Sequence, residues 1–159
     1  MDGVFQDEHG DFPAGSYIRN PPESSHTPRS APGCTIFVKL WQFELSDRTH
    51  SRIDTNKMRF VAATDHDGVE VLPLFSDGRE DVVVERWAPG VEVALAPDDG
   101  VELLVLEGGF TDAGEAFSAQ SWLRLPRGVG ANVTTGPDGA RVWIKRGHLA
   151  EAPQAPSAG

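Results

Sequence analysis

Cysteine is almost missing from this sequence, where Cys34 stands alone. An internal disulfide cannot form, which excludes a disulfide-stapled secreted scaffold and suits a reducing compartment. Basic residues are scarce as well, with 14 Lys and Arg against 24 Asp and Glu for a net charge of −10. That balance argues against nucleic acid or an anionic membrane as a partner, because phosphates would be repelled. No apolar run approaches the ~18–20 residues that span a bilayer. The opening MDGVFQDEHGDF has neither the basic nor the apolar region of a signal peptide, so a cytoplasmic location is expected. A helical 3.6-residue periodicity sustained over three turns is also lacking. Glu107-Gly108-Gly109 is not a phosphate cradle, since no G-x-G-x-x-G pattern is present and no helix follows.

What is present is strand and turn chemistry. Seventeen Gly and 12 Pro punctuate short runs of β-branched and aromatic residues. Strands are expected at Ser16–Arg19, Cys34–Phe43, Met58–Ala63, Val69–Phe75, Asp81–Trp87, Val91–Ala96, Val101–Leu106, Ser121–Leu125 and Ala140–Lys145. Turns separate them at Asn20-Pro21-Pro22, Asp65-His66-Asp67-Gly68, Ala88-Pro89-Gly90 and Pro97-Asp98-Asp99-Gly100. Cys34–Phe43, CTIFVKLWQF, is the strongest strand signal of the first half. Short strands with frequent Gly/Pro turns predict an all-β sandwich or barrel.

The chain also repeats itself. Shifted by 105 positions, Gly3, Phe5, Asp7, Phe12, Ala14, Ser16, Arg19 and Pro21 fall on Gly108, Phe110, Asp112, Phe117, Ala119, Ser121, Arg124 and Pro126. One inserted residue then places Gly33 on Gly139, Ile36-Phe37-Val38 on Val142-Trp143-Ile144, and Lys39 on Lys145. The identities sit at turn glycines, prolines and aromatics, where a shared backbone restricts residue type.

With DGVFQDEHGDFPAGSYIRNPPESSHTP…GCTIFVKLWQF in the first copy and PGVEV…GVELLVLEGGFTD, SWLRLPRGVG and RVWIKRGHL in the second, the chain resembles the cupins. More narrowly, it is similar to the cupin of ChrR-type anti-sigma factors and their two-cupin relatives, over roughly residues 1–149. The resemblance implies an all-β cupin, a double-stranded β-helix (jelly-roll) barrel preceded by a partial second cupin repeat. It implies the C-terminal half of a first cupin over 1–46, a connector and hairpin over 47–68, a complete barrel over 69–149 and a disordered tail over 150–159. Cupins of this type usually carry one divalent metal on three histidines and a glutamate, from a G-x5-H-x-H-x3-4-E-x6-G motif and a P-x-G-x2-H motif. Histidines two apart on a strand share a face, so such spacing can close an N3O site for Fe, Mn, Zn or Ni with open positions left over.

Carried over residue by residue, the motifs are incomplete. After Gly90 the H-x-H positions fall within Leu95–Asp98, where no histidine stands, and the carboxylate position is Val101 or Glu102. The second motif reads Pro126-Arg127-Gly128-Val129-Gly130-Ala131, ending in alanine. The second barrel is therefore expected to be metal-free, with Glu102 a weak candidate ligand. In the first copy Pro21-Pro22-Glu23-Ser24-Ser25-His26 keeps the histidine, with Glu23 in the glycine position. His26 is the candidate metal ligand. Its partners would lie upstream of Met1, as if the chain began inside a two-cupin protein through a misplaced start or a truncation. No cofactor is expected in this chain; Zn, Fe or Mn belongs to an intact parent.

The remaining candidates have bland readings. His9 and His66 sit in acidic turns, while His50 and His148 have no convergent partner in sequence. Cys34 reads as a small buried hydrophobe, and Glu80-Asp81 and Asp98-Asp99 as solvated turn charges. Trp41, Trp87, Trp122 and Trp143 are expected to pack the core. The function expected is a non-catalytic binding or sensory module, so this chain leans away from being an enzyme. The alternative is a metal-dependent dioxygenase of the diketone-cleaving type, requiring upstream ligands. Expected partners are a second copy through sheet edges and a small molecule; a sigma factor follows from the resemblance alone.

Overall fold

The computed structural model describes residues 1–96 and 98–150. Pro97 of the expected turn lies outside them, as does the expected disordered tail apart from Ala150. The described residues form two compact units, one over Met1–Met58 and one that begins at Arg59. Both are built from strands. Among the described residues no helix is long and apolar enough to cross a membrane.

The first unit opens with β1 (Asp2–Asp7), β2 (Gly10–Pro13) and β3 (Ser16–Arg19), followed by β4 (Cys34–Thr35) and β5 (Ser51–Asp54). A 3-10 turn at Thr55–Lys57 follows, started by the Asp54 carboxylate accepting the Asn56 N–H. The strands pair in the order β2-β1-β4, and β3 pairs with β5 separately. Arg19 ends β3 buried. It donates to the Thr49 carbonyl at 2.7 Å and to the Asp47 carboxylate at 2.5 Å, and its guanidinium lies 4.4 Å from the Phe43 ring centroid. One side chain thus ties the polar segment after Phe43 to the strand.

The second unit contains β6 (Val61–Ala62), β7 (Val69–Ser76), β8 (Asp81–Trp87), β9 (Glu92–Leu95), β10 (Val101–Asp112), β11 (Glu115–Ser118), β12 (Trp122–Leu125) and β13 (Ala131–Arg146). Their order is β11-β10-β13-β8-β7-β6, with β12 also on β10 and β9 also on β13. The two long strands change partners partway along. Val101–Leu104 of β10 lies beside β12, and Gly109–Asp112 beside β11; Ala131–Thr134 of β13 lies beside β9, and Ala140–Arg146 beside β8. Strands that switch neighbours at bulges fold one sheet over on itself, and the register of β10 on β13 shifts at Val105/Glu107 and Gly108/Phe110. The inward residues Val83, Trp87, Val93, Leu95, Leu103, Val105, Phe110, Val133, Val142 and Ile144 form one core. This is the cupin jelly roll that the sequence predicts.

The repeat exists in space. Val4↔Pro13, Phe5↔Phe12 and Asp7↔Gly10 of the β1–β2 hairpin match Gly109↔Ser118, Phe110↔Phe117 and Asp112↔Glu115 of the β10–β11 hairpin, each at the same 105-residue offset. Gly3 and Gly108 both have positive φ, 69° and 66°. A Cβ on either would collide with a carbonyl oxygen, that of Gly33 or of its counterpart Gly139. Glycine is required at that crossing in both copies.

Three sequence expectations need correction. The run Cys34–Phe43 is a strand only over Cys34–Thr35, and Ile36, Val38, Leu40 and Trp41 are exposed. Its counterpart Val142–Lys145 is held between β8 and β10, whereas in the first unit the ladder with β1 covers Cys34 and Thr35. Strand propensity without a neighbouring strand does not make a ladder. Of the four tryptophans, Trp87 is core, but Trp41 and Trp122 are exposed. Glu80 is buried against Lys145 at 2.5 Å, not solvated.

Candidate functional site

In the second unit the strand registers bring the motif positions together. Ala131, the last position of the second motif, lies directly opposite Leu95, the first position of the H-x-H window. Leu95 and Val101 are buried in the core, and Ala131 packs against it. The place where imidazoles would converge is lined by methyl and methylene groups, which cannot ligate a cation.

Glu102 faces the other way. Odd-numbered Val101, Leu103 and Val105 enter the core, so alternation puts Glu102 on the opposite face of β10, level with Lys145 and Arg124. Its Oε1 is 3.4 Å from Arg124 Nε and its Oε2 is 3.0 Å from His148 Nε2. His148 therefore does have a convergent partner, which the sequence did not suggest. Among the described motif positions a divalent ion finds no convergent donor set: Leu95, Val101 and Ala131 are apolar, Asp98 is exposed, and Glu102 points away from the core.

The barrel interior does contain charge, from residues that the motifs do not cover. Glu85 is buried between the inward residues Val83 and Trp87. Its Oε2 accepts the Trp87 Nε1–H at 2.7 Å, and its Oε1 accepts from Arg146 Nη2 at 2.7 Å. Both carboxylate oxygens are thereby engaged, which is what makes a buried carboxylate tolerable. The signal was present in DVVVERW: alternation puts Val83, Glu85 and Trp87 on one face.

In the first unit His26 corresponds to Ala131. Its Nδ1 is 3.0 Å from the Asn20 amide nitrogen, and Phe5 meets its ring edge-on with centroids 6.1 Å apart. The ring is exposed. Nearby, the Glu8 carboxylate accepts the Thr27 N–H at 2.8 Å. That bond holds its carboxyl below the usual range, with smaller contributions from His9 and His26. Among the described residues no three His, Cys, Asp or Glu side chains come together as a metal-holding group. His9 lies in the β1–β2 turn, His66 donates from Nδ1 to the carbonyl of its neighbour Asp67 at 3.0 Å, and Cys34 is half-buried on β4.

Glu23 carries the clearest local signature of the second motif. It has φ 65°, as its counterpart Gly128 has φ 82°. Ser24 N–H donates to the Pro21 carbonyl at 3.2 Å, and Val129 N–H to that of Pro126 at 3.0 Å. Both are turns whose third residue needs a left-handed backbone, the position where the motif has glycine.

Residues 1–44 match the ChrR Cupin-like domain. The fold is a cupin. Solved structures similar to it include a protein of unknown function with a cupin-like fold from Ralstonia eutropha, at 24% identity and TM-score 0.46, covering 50% of this chain and 55% of that one. Another is Rhodobacter sphaeroides SigE in complex with the anti-sigma ChrR, at 21% identity and TM-score 0.47, covering 57% and 48%. A third is a putative acetylacetone dioxygenase from Methylibium petroleiphilum, at 10% identity and TM-score 0.55, covering 63% and 78%. The cupin thus spans about half the length of the first two. No curated protein matches it in sequence.

Proposed function

We propose that this chain is a non-catalytic cupin module of the binding or sensory kind, related to the ChrR cupin, whose second barrel serves as a structural body without metal. The observation that carries this reading is the apolar filling of the motif positions: Leu95, Val101 and Ala131 occupy them, and Glu102 is turned to Arg124 and His148. A regulatory setting, with a sigma factor as the macromolecular partner, rests on the ChrR match over residues 1–44. A small apolar molecule is the ligand class that such a barrel interior suits.

One observation favours a second reading. His26 is retained on the turn that carries the last ligand in metal cupins, so an oxygenase of the diketone-cleaving type would use it together with ligands from another segment. Metal analysis of the purified full chain separates the two. Sub-stoichiometric Fe, Zn and Mn, unchanged by His26→Ala, supports the binding module; stoichiometric metal lost in His26→Ala overturns it.

A further inference from the structure

Arg146 reaches the end of the second barrel where the motif positions meet. On β13 it alternates with Val142 and Ile144, both buried in the core, and it lies opposite Val101 of β10, which lies opposite Leu125 of β12. Short connections join Leu95 to Val101 and Leu125 to Ala131, which brings all four to that end. Solvent reaches the inner face here: Leu123 and Ala131 are half-buried and the Arg146 side chain is 39% exposed, whereas Val142 and Ile144 are at 0%. The guanidinium donates from Nη2 to the buried Glu85 at 2.7 Å, and Glu85 accepts the Trp87 indole N–H at the same distance. Among the described residues Arg146 makes no other hydrogen bond or ion pair. A guanidinium has five N–H groups in a rigid fork, so a donor anchored by a buried partner borders an apolar, solvent-reached face with N–H groups to spare.

We propose that this end of the second barrel binds a small neutral molecule with an apolar body and a carbonyl oxygen, the body against Leu95, Val101, Leu125 and Ala131 and the oxygen accepting from Arg146. The inference rests on the reading of the barrel as a binder of small apolar molecules, and it names the polar group that such a ligand carries. Charge decides between a neutral acceptor and an anion. Glu85 already balances Arg146, Asp81 lies opposite Arg146 on β8, in alternation with the inward Val83, and the chain as a whole carries −10. A carboxylate entering here would give up its water beside two like charges. A carbonyl takes the same N–H without that cost. A pure hydrocarbon would cover guanidinium N–H groups and leave them unpaired, which is unfavourable as well.

Titration of the isotopically labelled full chain with acetophenone, toluene and benzoate, followed in N–H correlation spectra, tests the proposal. The three probes share a ring and differ in carrying a neutral carbonyl, no acceptor or an anion. The reporter is the Trp87 indole N–H, identified by its loss in Trp87→Phe and set two bonds from Arg146 through Glu85. Acetophenone should shift that signal saturably, leave the indole signal of the exposed Trp122 in place, and bind about tenfold more tightly than toluene or benzoate. Arg146→Met alone would strand a buried carboxylate, so it is combined with Glu85→Gln, which keeps an acceptor for Trp87. The double variant should bring acetophenone down to the affinity of toluene, and the ranking in the wild type does not depend on that variant folding. Equal binding of acetophenone and toluene, a preference for benzoate, or a preference for acetophenone that survives in the double variant overturns the proposal and leaves the barrel a binder of small molecules. No saturable shift with any of the three refutes that underlying reading, and the proposal with it.

Discussion

Replacing Glu23 by glycine should stabilise the protein, and the repeat supplies the internal control. Glu23 has φ 65° in the turn closed by Ser24 N–H on the Pro21 carbonyl, and Gly128 has φ 82° in the equivalent turn. A left-handed backbone costs a residue with a Cβ about 1–2 kcal/mol. Glycine removes that cost and returns about 0.5–1 kcal/mol of it through its freer unfolded chain. The Glu23–Arg48 ion pair lost in the exchange has both side chains exposed, 75% and 47%, and such pairs contribute little. The net expectation for Glu23→Gly is a gain of about 1 kcal/mol, read as a higher urea midpoint at constant m-value. Gly128→Glu should lose a similar amount. Glu23→Ala keeps the Cβ and should gain nothing. If Glu23→Ala gains as much as Glu23→Gly, the effect belongs to the side chain, and the backbone argument is refuted.

Two other perturbations follow from the buried charges. Arg19, through its hydrogen bond to the carboxylate, holds the Asp47 carboxyl down at about 2 from an ordinary 3.8. A depressed carboxylate contributes stability above its unfolded value and loses it as pH falls through the folded one. The stability difference between wild type and Asp47→Asn should therefore be fully present above about pH 4 and shrink toward about pH 2; a pH-independent difference in denaturant midpoint would refute the linkage. Lys145 and Glu80 are almost fully buried at 2.5 Å. Lys145→Met alone should destabilise by about 3–5 kcal/mol by leaving a buried carboxylate uncompensated, and Glu80→Leu added to it should recover most of the loss, measured as a double-mutant cycle in urea.

The repeat was legible because the same residue types recur at the same positions of both copies, while the strands Asp2–Asp7, Gly10–Pro13 and Glu115–Ser118 that carry it were not expected. Gly3 and Gly108 are forced by a carbonyl oxygen that a Cβ would strike, and Phe5 opposite Phe12 repeats Phe110 opposite Phe117. Periodicity likewise gave Asp81–Trp87 its strand, while the place of Glu102 among the motif positions came from the resemblance. What failed depended on neighbours that a sequence does not display. Cys34–Phe43 carries strand propensity throughout, but among the described residues its strand pairing stops at Thr35. Glu80 reads as a turn charge until Lys145, 65 positions later, is brought to it. His148 reads as an isolated terminal histidine until Glu102 meets it across the fold. Glu85 shows the intermediate case: it was not singled out, although alternation in DVVVERW puts it on the face of Val83 and Trp87, while its partner Arg146 is a matter of three dimensions.

The two copies diverge in opposite ways, and that bears on where binding chemistry can reside. Ser16–Arg19 and its counterpart keep the same strand and the same following turn, but their neighbours differ. Tyr17 lies opposite Ile53 of β5, whereas Trp122 lies opposite Leu104 of β10. The strand beside β12 is four buried residues, Val101–Leu104, while β5 offers Ser51-Arg52-Ile53-Asp54, of which none is fully buried. In the second unit Leu95 and Ala131 lie opposite each other and pack with the core. In the first unit the imidazole of His26 remains while the strands around its motif are of another kind. A single histidine restored at Ala131 would face Leu95 across the β9–β13 pair. On the proposed reading, metal ligation would turn on donors brought to His26, while the apolar core of the second barrel suits an apolar ligand.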